Sequence, residues 1–386
     1  MKLLFVGTFP PTKCGIATYT SHLREGMMRA LSLRPASLPV LSVYPDRWTA
    51  STPEVIPLAK TDAEGYVAAA ERVNASDIDV VSLQHEFGIF GGEAGEYIVR
   101  FLAALKKPVI TTLHTVFDRP TPPYSDVLGD IVRLSTRLIV MNRLGIEWLT
   151  RQYALHPRAV RFLPHGAPMT PAATPEALKA KWGVSGRKVL LTFGLLSPGK
   201  GIDRFLPTFA GVARDVPEAV YIIAGQTHPE VKKREGEAYR TRLVKLAERL
   251  GITSNVLFID RFLDEPELVE LLSLADVYVT PYPGLAQITS GTLAYAVGLG
   301  RPIVSTPYAY ARDLLRDFPE LLVPFDDAKQ WHETLVWLLE DDETRDSIAR
   351  KIAAIGKDMR WSTVGKRFYA LAKEIADRKE WIVSHG

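Results

Sequence analysis

Along the whole chain, short runs of apolar residues alternate with stretches whose apolar positions recur at helical spacing. Residues 3–7 form a run suited to a buried strand, and residues 15–30 follow with a helical period. Residues 80–83, 109–113 and 138–141 are further strand runs, with a helix predicted over 93–105. This strand–helix rhythm predicts a parallel sheet covered by helices on both faces. The rhythm stops over 163–175, where Pro164, Gly166, Pro168, Pro171 and Pro175 break any period and mark a linker between domains. A second series then starts. Strands are predicted at 189–193, 220–224, 256–258, 277–280 and 303–305, and helices at 202–214, 239–250, 265–274 and 291–297. The end of the chain is helical from Trp331 to about Ile382, with a break near Trp361.

Composition narrows the possibilities. A chain of 386 residues fits two domains, divided here as 1–170 and 171–360. The apolar fraction of 47% and charged fraction of 24% exclude disordered, collagen-like and coiled-coil chains. With 47 Lys and Arg against 44 Asp and Glu, the net charge of +3 argues against a nucleic-acid binder. The Lys232-Lys233-Arg234 cluster reads as a solvated helix end. The single cysteine, Cys14, permits neither an intrachain disulfide nor a thiolate metal site, and points to a reducing compartment. The apolar run at the N-terminus is too short for a signal peptide. No run approaches the ~18 apolar residues of a membrane span. A cytoplasmic protein is expected. Peripheral contact at the inner face of the membrane stays open, because the 15–30 helix carries His22, Arg24 and Arg29 beside Met27 and Met28. An amphipathic helix with a core face and a solvent face explains the same pattern.

Doubly wound parallel sheets bind ligands outside the carboxyl ends of their strands, and two such domains in series predict a cleft. The chemistry is therefore sought in the loops after strands. The Gly7–Gly15 loop opens a helix whose unpaired N–H groups suit an anion or a sugar hydroxyl, or it is an ordinary turn. It lacks the GxGxxG spacing of a dinucleotide fold. His85, followed by Gly91-Gly92, and His114 each fall just past a buried strand run. Each is a candidate acid, base or hydrogen-bonding group, or a satisfied structural histidine. Neither has a carboxylate or thiol partner at metal-ligand spacing. The Gly194–Gly201 loop brings Lys200 to a helix mouth without Walker A spacing; the lysine suits a phosphate or is merely solvated. After the strand ending at Thr280, a polar loop containing Gln287 leads into Ser290-Gly291-Thr292, a diphosphate cradle or a plain N-cap.

In this order, these loops resemble family 4 of the retaining glycosyltransferases. The resemblance extends over nearly the whole chain. It includes the Pro10-Pro11-x-x-Cys14-Gly15 loop, Gly194…Lys200-Gly201, Ala275-Asp276 before a strand, and Gly300-Arg301-Pro302-Ile303-Val304. It implies a GT-B fold: two Rossmann-like domains facing across a cleft, with residues 361–386 crossing back onto the first. It also implies a hexose transferred from a nucleotide diphospho-sugar to a hydroxyl acceptor, without a metal or other cofactor. Gly15 would face the donor phosphates and, with Cys14 and His85, the acceptor side. His114 would lie near the reacting centre, and Lys200 with the Ser290, Gly291 and Thr292 amides would hold the diphosphate. The loop containing Asp260, Arg261 and Phe262 would hold the base, and residues 44–57 and 120–126 are candidates to line the acceptor side.

Against the family pattern, Gln287 and Tyr295 stand where two glutamates are usual, and Leu195 replaces an arginine after Gly194. Gln287 can still bond sugar hydroxyls, Tyr295 clasps a ribose diol less well, and Arg261 is a candidate substitute cation. The polar replacements favour an active enzyme over a non-catalytic nucleotide-sugar or glycan binder, and over a sugar-nucleotide epimerase. GDP-mannose is favoured over UDP-glucose as donor.

Overall fold

The computed structural model describes residues 1–44 and 52–377. The chain divides into two compact units, one of residues 1–166 with the segment from Trp361 onward, the other Ala167–Arg360.

The first unit is built on a seven-stranded sheet. Its strands are β1 (Leu3–Gly7), β2 (Val40–Tyr44), β3 (Val55–Ala59), β4 (Val80–His85), β5 (Val109–Leu113), β6 (Arg137–Val140) and β7 (Val160–Phe162). They run in the order β3-β2-β1-β4-β5-β6-β7 with every pair parallel. β1, β4 and β5 are buried along their entire length, as continuous apolar runs require when helices cover both faces. The chain winds outward in both directions from β1, so β1 and β4 flank the point where strand order reverses. Ligands enter doubly wound sheets there.

The second unit repeats the plan with β8 (Lys188–Phe193), β9 (Ala219–Ala224), β10 (Val256–Ile259), β11 (Val277–Thr280) and β12 (Ile303–Ser305). The order is β10-β9-β8-β11-β12, again parallel throughout, and the reversal lies between β8 and β11. The chain enters and leaves this unit side by side, with the Ala167 N–H donating to Met359 O at 2.6 Å.

The observed elements depart from the sequence expectation in several places, beginning with β2, β3 and β7, which no apolar run predicted. The helix predicted over 93–105 begins only at Tyr97. Gly92, Ala94 and Gly95 all take left-handed backbone angles, which forces a turn first. The helical end of the chain is three helices, Ala328–Glu340, Asp342–Gly356 and Trp361–Asp377. Asp327 and Asp341 cap the first two by accepting bonds from Gln330 N and Thr344 N. The expected continuation to Ile382 lies outside the described residues. The Gly15–Leu31 helix has no free apolar face: Met27 is fully buried, and Arg24 donates from Nε to Leu38 O at 2.7 Å. Its apolar stripe packs on the Trp361–Asp377 helix, where Gly26 and Gly365 remove the side chains that would hold the backbones apart.

Candidate functional site

In the second unit, the candidate residues gather at the carboxyl ends of β8 and β11. Past Phe193 the chain turns through Gly194 (φ 128°) and reaches Lys200 in a single helical turn, Pro198–Lys200. Gly201 follows at φ 65°, and a Cβ there would sit 2.0 Å from Pro281 O. Only glycine lets the loop after β8 lie against the loop after β11. That contact brings Lys200 to Tyr282. The lysine Nζ donates to the Tyr282 hydroxyl at 2.9 Å and stands 4.3 Å from the ring centre. The Tyr282 hydroxyl is 3.3 Å from Thr292 Oγ1, which is 3.1 Å from Ser290 Oγ. Ser290 caps the Gly291–Gly298 helix by accepting from Leu293 N at 3.3 Å. A Cβ on Gly194 would sit 3.4 Å from Thr292 Cγ2 and 3.6 Å from Lys200 Nζ. Gly194, Lys200, Ser290 and Thr292, far apart in sequence, thus share one site at a helix N-terminus, with Gly291 as the first helical residue. An ammonium, hydroxyls and unpaired amides together suit an anion.

The remaining predictions for this unit lie at or beyond the edge of that cluster. Gln287 is exposed, its Nε2 donating to Thr289 O at 2.8 Å. Tyr295 is 5% exposed, so only an edge of it reaches the surface. Arg261 does not join Lys200. Its Nη1 is 2.6 Å from Glu267, the carboxylate of a capping box on the Glu265–Leu274 helix, and that bond holds the guanidinium pKa above its ordinary value. The arginine that reaches the strand ends is Arg240. It is buried, donating to Gly225 O at 2.5 Å and paired with Asp260 at 2.8 Å.

In the first unit, the loop after β1 ends in Cys14, which caps the Gly15–Leu31 helix. Its Sγ accepts from Ala17 N at 3.4 Å and lies 3.1 Å from Thr8 Oγ1. Among the described residues, nothing beyond its own helix and chain neighbours lies within 4 Å of where a Gly15 Cβ would be, so this helix mouth is open to them. His114 is the first residue past β5 and is 7% exposed. Its N–H donates to His85 O at 3.0 Å, and its Nε2 is 3.1 Å from Gln84 Oε1. The Gln84 amide in turn donates to Ser82 Oγ at 3.0 Å. This arrangement places the imidazole proton on Nε2 and leaves Nδ1 as an acceptor. The Tyr19 ring stands edge-on to His114 with centroids 4.6 Å apart, and also contacts His165 and Trp361. Burial, with His165 and His85 adding to it, lowers the His114 pKa to about 3, so the ring is neutral.

His85 differs from expectation. It is the last residue of β4, not a loop residue, and is fully buried between Phe87 and Phe90. Burial lowers its pKa to about 3 as well. Of the candidate acceptor-lining segments, residues 45–51 lie outside the described residues, while Tyr124 is 42% exposed. Sequence reasoning missed Tyr282, Tyr19, Gln84 and His165. The only local signal for Tyr282 is its place between Pro281 and Pro283, directly past a strand end. Among the described residues, no helix is long and apolar enough to cross a membrane.

Comparison with known proteins extends the assignment. Residues 175–354, nearly all of the second unit, match the family described as Glycosyl transferases group 1. The chain carries a group 1 glycosyltransferase domain. The similarity reaches beyond that domain. The alpha-monoglucosyldiacylglycerol synthase of Streptococcus pneumoniae is 23% identical over 350 residues, covering 81% of this chain and 73% of the synthase. The phosphatidyl-myo-inositol mannosyltransferase of Mycolicibacterium smegmatis is 24% identical over 280 residues, covering 71% and 67%. Among solved structures, HepE of Anabaena in complex with UDP and glucose superposes with a TM-score of 0.73 at 15% identity, over 97% of this chain and 100% of that one. WaaG, a glycosyltransferase of lipopolysaccharide biosynthesis, gives 0.68 at 17%, over 97% and 100%. The chain that carries this domain therefore has the GT-B fold.

Proposed function

We propose that this glycosyltransferase moves a hexose, mannose or glucose, from a nucleotide diphospho-sugar to a hydroxyl acceptor with retention of configuration and without a metal. The observation that carries the reading is the convergence of Lys200, Tyr282, Thr292 and Ser290 on one helix mouth. As the bond from the anomeric carbon to the phosphate oxygen breaks, negative charge develops on the β-phosphate. An ammonium and preorganised donors stabilise that charge directly, so a divalent ion has no required part. The acceptor hydroxyl attacks the oxocarbenium-like carbon on the face the phosphate leaves. Its proton passes to the departing phosphate oxygen, and no protein nucleophile is needed. We assign the neutral His114 to the sugar and acceptor side as a hydrogen-bonding group, with its proton on Nε2 and a lone pair on Nδ1. The base would lie on the loop around Asp260.

The named relatives support the sugar and the acceptor class. One name specifies a glucosylated diacylglycerol and the other a mannosyl transfer to phosphatidyl-myo-inositol, which favours a lipid-linked or polyol acceptor reached from the cytoplasmic side. GDP-mannose and UDP-glucose are the donors to try first. Nucleotide release across GDP-, UDP- and ADP-sugars, with glycan and lipid acceptors, tests the reading. Lys200→Ala is expected to lower turnover about a hundredfold or more with the circular dichroism spectrum unchanged. Near-normal turnover removes the lysine from the mechanism. Donor binding with no release under any acceptor makes the chain a binder, and release of an epimerised nucleotide sugar makes it an epimerase.

A further inference from the structure

We propose that Tyr282 is a positioning residue for the reaction: its hydroxyl holds the Lys200 ammonium in place for the leaving diphosphate. The inference rests on the anion-site reading of the preceding subsection and goes beyond it. The lysine side chain is long and mobile, and a point charge delivers its full effect only when fixed before the reaction begins. Position 195 carries leucine, so no second cation follows Gly194. Lys200 must then act from a well-defined place.

Tyr282 supplies that place because it cannot itself move. It is 1% exposed, and its ring lies 5.5 Å from that of Tyr308 at an interplanar angle of 20°. Its carbonyl accepts from Thr306 Oγ1 at 2.7 Å. A tyrosine hydroxyl has one proton to give. Its oxygen accepts from Lys200, so the proton is free to turn toward Thr292, 3.3 Å away. The bonds therefore have a direction, from lysine to tyrosine to threonine, and end beside Ser290 at the helix cap. Two more fully buried tyrosines lie nearby: Tyr278 on β11, and Tyr308, whose ring is the one stacked on Tyr282. Burial keeps both phenols neutral. Among the described residues, no carboxylate joins the line to compete with a phosphate for the ammonium.

Tyr282→Phe keeps the ring, its stacking and the cation–π contact, and removes only the hydroxyl. In the full-length protein we expect kcat to fall about tenfold and GDP and UDP to bind several-fold more weakly. Guanosine and uridine, which lack phosphates, should bind as before, and the melting temperature should be unchanged. The deciding measurement is a double-mutant cycle with Lys200→Ala, read by calorimetric titration of GDP and UDP. If Tyr282 works through the lysine, adding Tyr282→Phe to Lys200→Ala weakens binding no further. Equal losses from Tyr282→Phe in both backgrounds, or full kcat in the single variant, overturn the proposal. The two levels of inference fail separately. Unchanged diphosphate binding in Lys200→Ala refutes the anion site itself. A loss there with none in Tyr282→Phe refutes only the role of the tyrosine.

Discussion

An imidazole that burial has stripped of its proton behaves differently from an exposed one, and the described residues of the first unit include three. His85 and His114 have pKa values lowered to about 3, and His165 to about 4, against an ordinary 6.5. In the unfolded chain they return to that ordinary value. Below about pH 6.5 the unfolded state therefore binds more protons than the folded one, and stability held above that pH is lost as pH falls toward 4 and then 3. Denaturant midpoints measured from pH 7 to 4 should fall with a slope approaching three protons in excess. His85 offers the cleanest test, because among the described residues neither ring nitrogen has a hydrogen-bond partner, while Phe87 stands edge-on to the ring and Phe90 stacks on it. His85→Leu should lower the slope by up to one proton. An unchanged slope would mean the ring is not buried as neutral imidazole. The same lowering bears on catalysis: a rate limb near pH 6.5 that survives in His114→Gln cannot belong to His114. At this scale the sequence was partly readable. His114 announces itself by following a buried strand run. Tyr19, Gln84 and His165 do not, because what makes them relevant is proximity across stretches of chain that no local pattern encodes.

Whole elements were more legible, and the exceptions have identifiable causes. Strands β5, β11 and β12 match the predicted runs to the residue, since each is a short, fully buried run rich in β-branched residues with a proline directly at one end. β2, β3 and β7 have no counterpart among the predicted runs; in β3, Ile56 and Pro57 are exposed at the sheet edge and blur the signal. Packing between helices was invisible in the sequence, yet it sets the tolerance of several glycines. A Cβ on Gly26 would lie 2.4 Å from Trp361 O, and one on Gly365 would lie 2.8 Å from Met27 N. On Gly166 it would lie 2.0 Å from Cε3 of the Trp361 ring. Backbone cannot swing aside as a flexible side chain can. Gly26→Ala should therefore cost about 1–3 kcal/mol in urea unfolding, the usual range for overpacking. Gly15→Ala, at the open start of the same helix, should cost far less. Equal losses at the two positions would contradict the close helix crossing.

At the scale of the molecule the two units differ in how the chain builds them. The second is one continuous stretch, Ala167–Arg360, and contains every member of the Lys200 cluster. The first is assembled from two pieces, and its Gly15–Leu31 helix is covered by a helix from the far end of the sequence. That covering helix buries Trp361, Val364, Phe368, Ala372 and Ile375. Each large side chain among them contributes roughly 1.5–3 kcal/mol on burial. Together they are comparable with the ~5–15 kcal/mol net stability of a typical domain. Ending the chain at Arg360 also uncovers Met27 and the edge of Tyr19, which leaves an apolar groove in water. We expect that truncated protein to lose the cooperative unfolding transition of the first unit and to aggregate through it. The second unit should still melt as a unit and still bind GDP or UDP with close to the full-length affinity, because none of its site residues is removed. Two-wavelength denaturation together with nucleotide titration separates these outcomes. A truncated chain that keeps both transitions would show that the returning helix is a surface addition; loss of nucleotide binding along with the first transition would show that the donor site depends on more than the second unit's own residues.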